Sequence, residues 1–179
     1  YQSRLASDVF SAEHLGRLAQ DFDVLDPTPL ETFETTRASA VLAQTEVLVT
    51  GWGCPRIDGR VLACAPNLRM FAHAAGTVKS FLAPEVFGSG IMVSNSADAN
   101  AIRVAEFTLA AILVANKNVV GFSKLYSRQR DKIESWQLTG ADCGNWQKTV
   151  GIVGFSRVGR RVVELLRPFD LRVVVHDPH

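Results

Sequence analysis

Two glycines and one acidic residue near the end of the chain have the types and spacing of a phosphate-binding turn. Gly154 and Gly159 follow the apolar run at residues 150–153, and Asp177 closes a second apolar run at residues 171–176. A strand that passes through a glycine turn into a helix presents free N–H groups to a pyrophosphate, and a carboxylate after the next strand accepts hydrogen bonds from a ribose. The pattern predicts a buried strand at 150–153 and the first half of a dinucleotide-binding unit.

Ser156 departs from the usual Gly-x-Gly-x-x-Gly pattern, because it stands where the middle glycine is expected. That glycine lets the pyrophosphate approach the backbone closely. The serine Cβ could push the phosphates outward, whereas its hydroxyl could hydrogen-bond to them, and we expect Ser156→Gly to tighten dinucleotide binding. A packing turn of the same shape that holds no nucleotide is the alternative.

The Asp177 carboxylate would repel a 2′-phosphate, so the sequence favours NAD over NADP as the cofactor. Arg157 and, more weakly, Arg160 stand at the start of the following helix, where a cation suits a pyrophosphate; a solvated surface position is the alternative. The predicted cofactor contacts of this segment are Gly154, Phe155, Ser156, Arg157, Val158, Gly159, Asp177 and Pro178.

The composition is typical of a globular protein that buries one hydrophobic core or two small ones. Of its 179 residues, 47% are hydrophobic and 21% are charged, and the net charge is +1, which gives no general attraction for nucleic acid or acidic membranes. We expect no membrane span and no leader, since no apolar run approaches about 20 residues. The three cysteines are widely spaced, which predicts free thiols in a reducing cytoplasm and no metal site.

The elements that must position these residues alternate between helix and strand. Helices are predicted at residues 11–19, behind a weak Ser-x-x-His cap, and at 35–43, 58–65 and 83–87. Strands are predicted at 23–25, 47–50, 68–73 and 91–94. Strands at this regular spacing, separated by helices, indicate an α/β fold with a parallel sheet covered on both faces.

After Ser94 the pattern changes to a long, apolar helix at residues 99–117, a polar helical segment at 125–136 and a loop at 139–145. We therefore place a domain boundary that gives a first α/β domain at residues 1–97 and the start of a second at 98–179.

Five segments together carry a family resemblance. They are AAGTV at 74–78, GIMVSN at 90–95, VAEFTL at 104–109, TVGIVGFSRVGR at 149–160 and HDP at 176–178. In this order and spacing the chain resembles the D-isomer-specific 2-hydroxyacid dehydrogenases, which include phosphoglycerate, glyoxylate and hydroxypyruvate reductases. The resemblance implies a flavodoxin-like substrate domain, here without its expected first strand, followed by the start of a Rossmann NAD-binding domain.

The family chemistry is reversible hydride transfer between NAD(H) and a small D-2-hydroxy acid or 2-oxo acid. The resemblance implies that the loop at Ala75, Gly76 and Thr77 binds the substrate carboxylate through backbone N–H groups. It implies a second substrate loop at Trp52 and Gly53. From the start of the long helix, it implies a substrate contact at Asn100 and a cofactor contact at Val104.

Family members carry an Arg, a Glu and a His for carboxylate binding and proton transfer, all after the position that matches Asp177. No residue of this chain is therefore predicted to be catalytic, and we expect the 179 residues to be an inactive portion of a longer enzyme. For His73 and Cys54 we expect buried structural roles.

The resemblance also implies a homodimer formed through the NAD-binding domain, with residues 100–146 at the interface. A second function class stays open, because the same fold resembles NAD-sensing transcriptional corepressors of the C-terminal-binding type. A downstream Arg, Glu and His at catalytic spacing would favour the enzyme over this interaction protein.

Overall fold

A computed structural model describes residues 9–128 and 143–178 of the chain. The chain divides into two compact units, residues 1–97 and residues 98–179. Each unit contains a parallel sheet with helices between its strands, which confirms the predicted α/β fold class. The functional assignment of each unit as a domain stays a prediction.

Unit 1 opens with two helices that are capped by hydroxyl side chains. Helix α1 spans Ala12–Asp21, and Ser11 and His14 form a reciprocal capping box at its start, so this cap is better formed than the sequence suggested. Helix α2 spans Thr36–Leu42, and the hydroxyl of Thr35 accepts a hydrogen bond from the Ala38 N–H at 3.1 Å.

The sheet of unit 1 has three parallel strands in chain order. Strand β1 (Val47–Thr50), helix α3 (Gly59–Ala63), strand β2 (Met70–His73), helix α4 (Pro84–Phe87) and strand β3 (Met92–Asn95) follow one another along the chain. These bounds agree with the predicted elements to within two residues at each end. Both pairs of neighbouring strands are parallel, so all three carboxyl ends lie at one edge of the sheet.

The core of unit 1 lies against one face of this sheet. Leu48, Phe71 and Val93 stand in register across the three strands and pack with the buried side chains of Leu42 and Ile57. The fully buried Phe71 removes the largest side chain of this cluster from water, and burying a side chain of that size contributes about 2–3 kcal/mol.

Two predictions for unit 1 are wrong. Residues 23–25 are not a strand, because they have no neighbouring strand to pair with in the described chain and run into a turn where the Asp26 carboxylate accepts from the Thr28 N–H. The sheet is also not covered on both faces. Val47 and Met92 stand in one row of the opposite face and remain exposed, because the described helices pack only on the first face.

Unit 2 combines two helices with one strand–helix–strand unit. Helix α5 (Ala97–Asn116) and helix α6 (Val119–Arg128) precede strand β4 (Lys148–Val153), helix α7 (Arg157–Leu166) and strand β5 (Leu171–His176). The predicted helix at 125–136 overlaps α6 at its first residues, but α6 begins earlier, at Val119. The rest of that prediction and most of the predicted loop at 139–145 lie outside the described residues.

The core of unit 2 forms where α5 and α7 pack on the sheet of β4 and β5. Ala105, Val162 and Leu166 are buried there, with Ile152 and Val173 packed against them. The prediction of a buried strand at 150–153 is wrong for half of its residues. Burial alternates along β4, and Val153 is 85% exposed, because one face of the two strands has no covering element among the described residues.

Helix α5 is apolar but buries few of its side chains. Within unit 2, Ala101 and Ala105 are its buried residues, whereas Phe107 is 76% exposed. In the described part of the chain, no single helix is long and apolar enough to cross a membrane. Helices α5 and α6 meet that test of length and composition only when taken together across a 51° bend.

Candidate functional site

The turn between β4 and α7 (residues 154–159, the glycine turn) depends on its two glycines for its shape. Gly154 has a φ of +92°, a backbone conformation that side chains with a Cβ rarely adopt. A Cβ at Gly159 would lie 2.1 Å from the carbonyl oxygen of Gly154. Gly159 is therefore needed for the close approach of α7 to the end of β4, which is the packing role of the last glycine in a dinucleotide-binding turn.

The N-terminus of α7 presents backbone donors at this turn. The first intrahelical hydrogen bond runs from the Arg160 N–H to the Ser156 carbonyl, at 2.9 Å. Among the described residues, the N–H groups of Arg157, Val158 and Gly159 have no hydrogen-bond partner. Such a group of free amides at the positive end of a helix is suited to binding an anion.

Ser156 is the N-cap of α7, and its conformation is an ordinary one for a residue with a side chain. Its φ is −79° and its ψ is −160°, so serine at this position costs no backbone strain. Its hydroxyl makes no capping hydrogen bond, which leaves it exposed beside the free amides. The departure from glycine therefore does not prevent the turn from forming.

Asp177 lies directly against the glycine turn. Its Oδ2 accepts a short hydrogen bond from the Phe155 N–H, and the carbonyl of the preceding His176 accepts one from the Gly154 N–H at 2.8 Å. The carboxylate predicted to bind a ribose is thus at the same strand ends as the amides predicted to bind the pyrophosphate. Pro178 follows it and is exposed.

Two arginines place positive charge beside the turn. Arg157 Nε donates to Asp98 Oδ1 at 2.5 Å, which joins the first turn of α5 to the first turn of α7. Arg160 Nε donates to the Phe155 carbonyl at 2.9 Å, and its guanidinium lies 5.0 Å from the centre of the Phe155 ring. Arg157 and Asp98 are both exposed, so their pair contributes at most about 1 kcal/mol to stability.

The remaining predicted contacts of unit 2 lie on α5. Asn100 is half-buried, two residues beyond Asp98, and Val104 is exposed, one further turn along the helix. Among the described residues, neither forms a hydrogen bond with the glycine turn, so their roles stay predictions.

In unit 1, Trp52 and Gly53 form a turn at the carboxyl end of β1. The Cys54 N–H donates to the Gly51 carbonyl at 3.2 Å, and Gly53 has a φ of +77° at the third position of the turn, where glycine is required. The Trp52 side chain is half exposed at this edge. The next strand, β2, ends beside it and leads into the loop at residues 74–77.

The 74–77 loop has backbone donors of its own. The Ala74 N–H donates to the Thr50 carbonyl at 2.8 Å and so continues the strand pairing. Beyond it, the N–H groups of Ala75, Gly76 and Thr77 have no hydrogen-bond partner within the described chain. Ala75 is buried and Gly76 is half-buried, so these amides are donors that a carboxylate could satisfy.

His73, the last residue of β2, is buried and hydrogen-bonded, as predicted for a structural histidine. Its Nδ1 is 2.9 Å from the Thr50 hydroxyl, and its ring centre is 4.9 Å from that of Phe81. Burial lowers the pKa of this imidazole below its ordinary value, although a hydrogen bond with the Thr77 backbone opposes that shift. The ring is therefore neutral at physiological pH.

Cys54 is also structural. It packs against the core of unit 1, and burial raises the pKa of its thiol to about 11, so the reactive thiolate form is absent near neutral pH. Cys64 and Cys143 are exposed free thiols.

Sequence reasoning missed two contacts of these sites. The pair between Asp98 and Arg157 joins residues 59 positions apart, and no local pattern reveals it. The contact between Thr50 and His73 had a weak signal, since each is the polar residue that ends an apolar strand. Parallel pairing of those two strands places their last residues opposite one another.

The chain is similar in sequence to one known protein family. Residues 109–179 match the family described as D-isomer specific 2-hydroxyacid dehydrogenase, NAD binding domain. The chain is 27% identical over 141 residues to a D-3-phosphoglycerate dehydrogenase of Methanocaldococcus jannaschii, covering 77% of this chain and 25% of the relative. It is 31% identical over 161 residues to a glyoxylate reductase of Aeropyrum pernix, covering 87% of this chain and 46% of the relative.

A solved structure shares the fold. A D-lactate dehydrogenase from Aquifex aeolicus, complexed with NAD and lactic acid, superposes with a TM-score of 0.65 at 16% identity, over 96% of this chain and 50% of that one. The chain thus spans a quarter to one half of the length of these proteins. The resemblance found in the sequence is confirmed: the chain is related to the D-isomer specific 2-hydroxyacid dehydrogenases, and residues 109–179 match the NAD binding domain of that family.

Proposed function

We propose that the glycine turn and Asp177 bind NAD(H). The observation that carries this proposal is the hydrogen bond from the Phe155 N–H to the Asp177 carboxylate, which brings a ribose acceptor to the start of a helix with free amides. The match to an NAD binding domain and the NAD-complexed structural relative support the same cofactor.

The residues present fit a dinucleotide. The amides of Arg157, Val158 and Gly159 and the hydroxyl of Ser156 would hold the pyrophosphate, with Arg157 adding charge. Asp177 would accept the ribose hydroxyls, since a carboxylate accepts several hydrogen bonds and can share them with Phe155. Phe155, Pro178 and Val104 would contact the remaining cofactor surface. When bound, the nicotinamide supplies or accepts the hydride.

For the substrate, we propose a small D-2-hydroxy acid or 2-oxo acid bound by unit 1. The 74–77 loop offers three amides that have no partner among the described residues and suit a carboxylate, and the turn at Trp52 and Gly53 lies at the neighbouring strand end. Asn100 is proposed as a further substrate contact. Unit 1 then acts as the substrate domain and unit 2 as the NAD-binding domain. No residue of this chain is proposed to transfer the proton, so hydride transfer requires groups supplied beyond it.

We also propose a homodimer formed through unit 2. Its helices carry exposed apolar side chains of the kind that subunit interfaces cover. They are Ile102, Phe107, Val114, Val119, Val120 and Tyr126. The three free cysteines support a reducing, cytoplasmic location.

The test is oxidation of NADH by the intact protein, with the groups beyond this chain present, when glyoxylate, hydroxypyruvate or pyruvate is supplied. Turnover of at least one acid is expected, with Asp177→Asn raising the KM for NADH because the ribose loses its charged acceptor. Tight NADH binding without turnover of any 2-oxo acid would contradict the reductase and favour an NAD-sensing interaction protein. Absence of NADH binding would contradict both.

A further inference from the structure

One backbone N–H holds the first part of the 74–77 loop. The Ser96 N–H, just beyond the end of β3, donates to two carbonyl groups, that of His73 at 3.1 Å and that of Ala75 at 2.9 Å. The first bond continues the pairing of β2 with β3, in which His73 lies opposite Asn95. The second bond lies beyond the end of β2 and is not part of strand pairing. Ser96 therefore fixes the start of the loop as well as the end of the strand.

The loop is also bonded on its other side and at its far end. The Ala74 N–H donates to the Thr50 carbonyl, at the end of β1, at 2.8 Å. The Thr77 hydroxyl accepts from the Lys79 N–H at 3.3 Å, which closes a turn at the last residue of the loop. These bonds leave the N–H groups of residues 75–77 without a partner among the described residues.

The bond to the Ala75 carbonyl fixes the direction of the Gly76 N–H. Both groups belong to one planar peptide unit, and in a trans peptide the C=O and the N–H point in opposite directions. No cis peptide occurs among the described residues. The peptide that begins at His73 shows the same relation, since its carbonyl accepts from Ser96 while its N–H points the opposite way, to a carbonyl of β1. The Gly76 N–H therefore points away from Ser96.

We propose that Ser96 is a positioning residue, whose backbone N–H holds the peptide between Ala75 and Gly76 so that the Gly76 N–H is aimed at the substrate carboxylate. This inference rests on the proposed function for its substrate. The holding of the peptide needs only the contacts within unit 1. Such support matters for binding, because a displacement of about 1 Å is enough to lose good hydrogen-bond geometry.

A proline at position 96 removes this N–H. Proline restricts the preceding residue to extended backbone, which Asn95 already adopts as the last residue of β3. Ser96→Ala is the reference, because it removes the same hydroxyl and keeps the N–H. Ala97→Pro is the matched control, because it removes the next N–H along the chain, which donates to the Asn95 side chain at 3.0 Å and not to the loop. Proline is well tolerated at such a first position of a helix.

The bond itself is measured by NMR in the intact wild-type protein. Scalar couplings across the hydrogen bonds should connect the ¹⁵N of Ser96 with the carbonyl carbons of His73 and Ala75. The Ser96 amide should exchange with solvent more slowly than the Gly76 amide, because only the Ser96 amide is hydrogen-bonded in the free protein. When oxamate is added in the presence of NADH, the Gly76 proton should shift downfield as it donates to the carboxylate.

The variants measure what the bond contributes to binding. Relative to Ser96→Ala, we expect Ser96→Pro to lower the order parameter of the Gly76 N–H from about 0.85 to below about 0.6. Oxamate binding should weaken about 2- to 10-fold, the value of one hydrogen bond, with the dissociation constant of NADH unchanged. The downfield shift of Gly76 should be lost in Ser96→Pro, whereas Ala97→Pro should keep the wild-type order parameter and shift.

A merely structural role would lower the thermal stability of Ser96→Pro and leave the order and the oxamate-induced shift of Gly76 as in Ser96→Ala. That result would overturn the inference, as would equal losses of oxamate affinity in Ser96→Pro and Ala97→Pro. Absence of a coupling between Ser96 and Ala75 in the wild type overturns it even if Ser96→Pro does not fold. If the coupling is found and the variant loosens the loop, but the wild type binds NADH and no oxamate, the proposed substrate is wrong and the positioning by Ser96 stands.

Discussion

The glycine turn of unit 2 and the 74–77 loop of unit 1 both follow parallel strands and both offer free backbone amides, but they are held in different ways. The glycine turn depends on backbone geometry, since Gly154 needs a positive φ and Gly159 has no room for a Cβ. Its side-chain contacts are exposed and charged. The 74–77 loop instead begins beside a buried side-chain contact, in which the neutral ring of His73 lies 2.9 Å from the Thr50 hydroxyl.

This difference separates the conditions to which each site responds. Exposed charges interact through water and are screened by salt, so the pair of Asp98 and Arg157 should influence the glycine turn mainly at low ionic strength. A buried imidazole is little affected by salt, but its proton equilibrium depends on pH. Salt concentration should therefore change ligand binding at the glycine turn of unit 2. A fall in pH should instead change the stability of unit 1 around His73.

The largest effect is expected from adding one methyl group to the glycine turn. In Gly159→Ala, the new Cβ would lie 2.1 Å from the Gly154 carbonyl oxygen, so α7 must move away from β4. We expect a loss of about 1–3 kcal/mol in stability, seen as faster amide exchange across residues 148–176, and at least about a tenfold loss in NAD affinity by calorimetry. Gly151→Ala is the control, because a Cβ there meets nothing within 4 Å. Equal affinity in the two variants would contradict the packing role of Gly159.

The next effect concerns the charge pair beside the turn. In Asp98→Asn, Arg157 loses its anionic partner and becomes available to the pyrophosphate. NAD binding should tighten by about 2- to 5-fold at low salt, and Arg157→Gln should weaken it by a similar factor. Both effects should shrink above about 0.5 M salt. A loss of affinity in Asp98→Asn would mean that the pair supports the turn rather than competing with the cofactor.

For unit 1, stability should depend on the protonation of His73. Burial lowers the pKa of this group in the folded protein below the ordinary value of 6.5, and none of its described contacts is a charged group. As pH falls below about 6.5, the unfolded chain binds a proton that the folded chain does not. The contribution is complete above pH 6.5 and declines as pH falls toward the lowered folded pKa.

Thermal unfolding measured between pH 8 and pH 5 checks this dependence. His73→Gln should flatten the decline, since a glutamine side chain does not titrate in this range. An equal decline in the wild type and in His73→Gln would show that another group is responsible.

The smallest effect is expected at Ser156. Its Cβ stands where the pyrophosphate approaches the backbone, so Ser156→Gly should tighten NAD binding, by about 2- to 3-fold. The hydroxyl makes no capping bond, so its removal should cost the helix little. Unchanged or weaker binding, measured by calorimetry, would indicate that the hydroxyl itself bonds to the phosphates.

Sequence periodicity predicted most elements because each is a short apolar run that ends at a glycine, a proline or a capping residue. The glycine turn was predictable for the same reason, since Gly154 and Gly159 have local backbone roles. Residues 23–25 had the composition of a strand, but a strand also requires a neighbour, and no local pattern supplies one. The side-chain hydrogen bonds between Asp98 and Arg157 and between Thr50 and His73 depend on the packing of segments that are distant in sequence. Sequence periodicity does not predict such contacts.

The most direct test of the NAD site is a calorimetric titration of the protein with NAD and with NADP, repeated with Asp177→Asn. We expect NAD to bind at least about tenfold more tightly than NADP, because the Asp177 carboxylate accepts from the ribose and repels a 2′-phosphate. The substitution should remove most of that preference. Equal binding of the two dinucleotides by the wild type, or no binding of either, would contradict the assignment of the glycine turn and Asp177 as an NAD site.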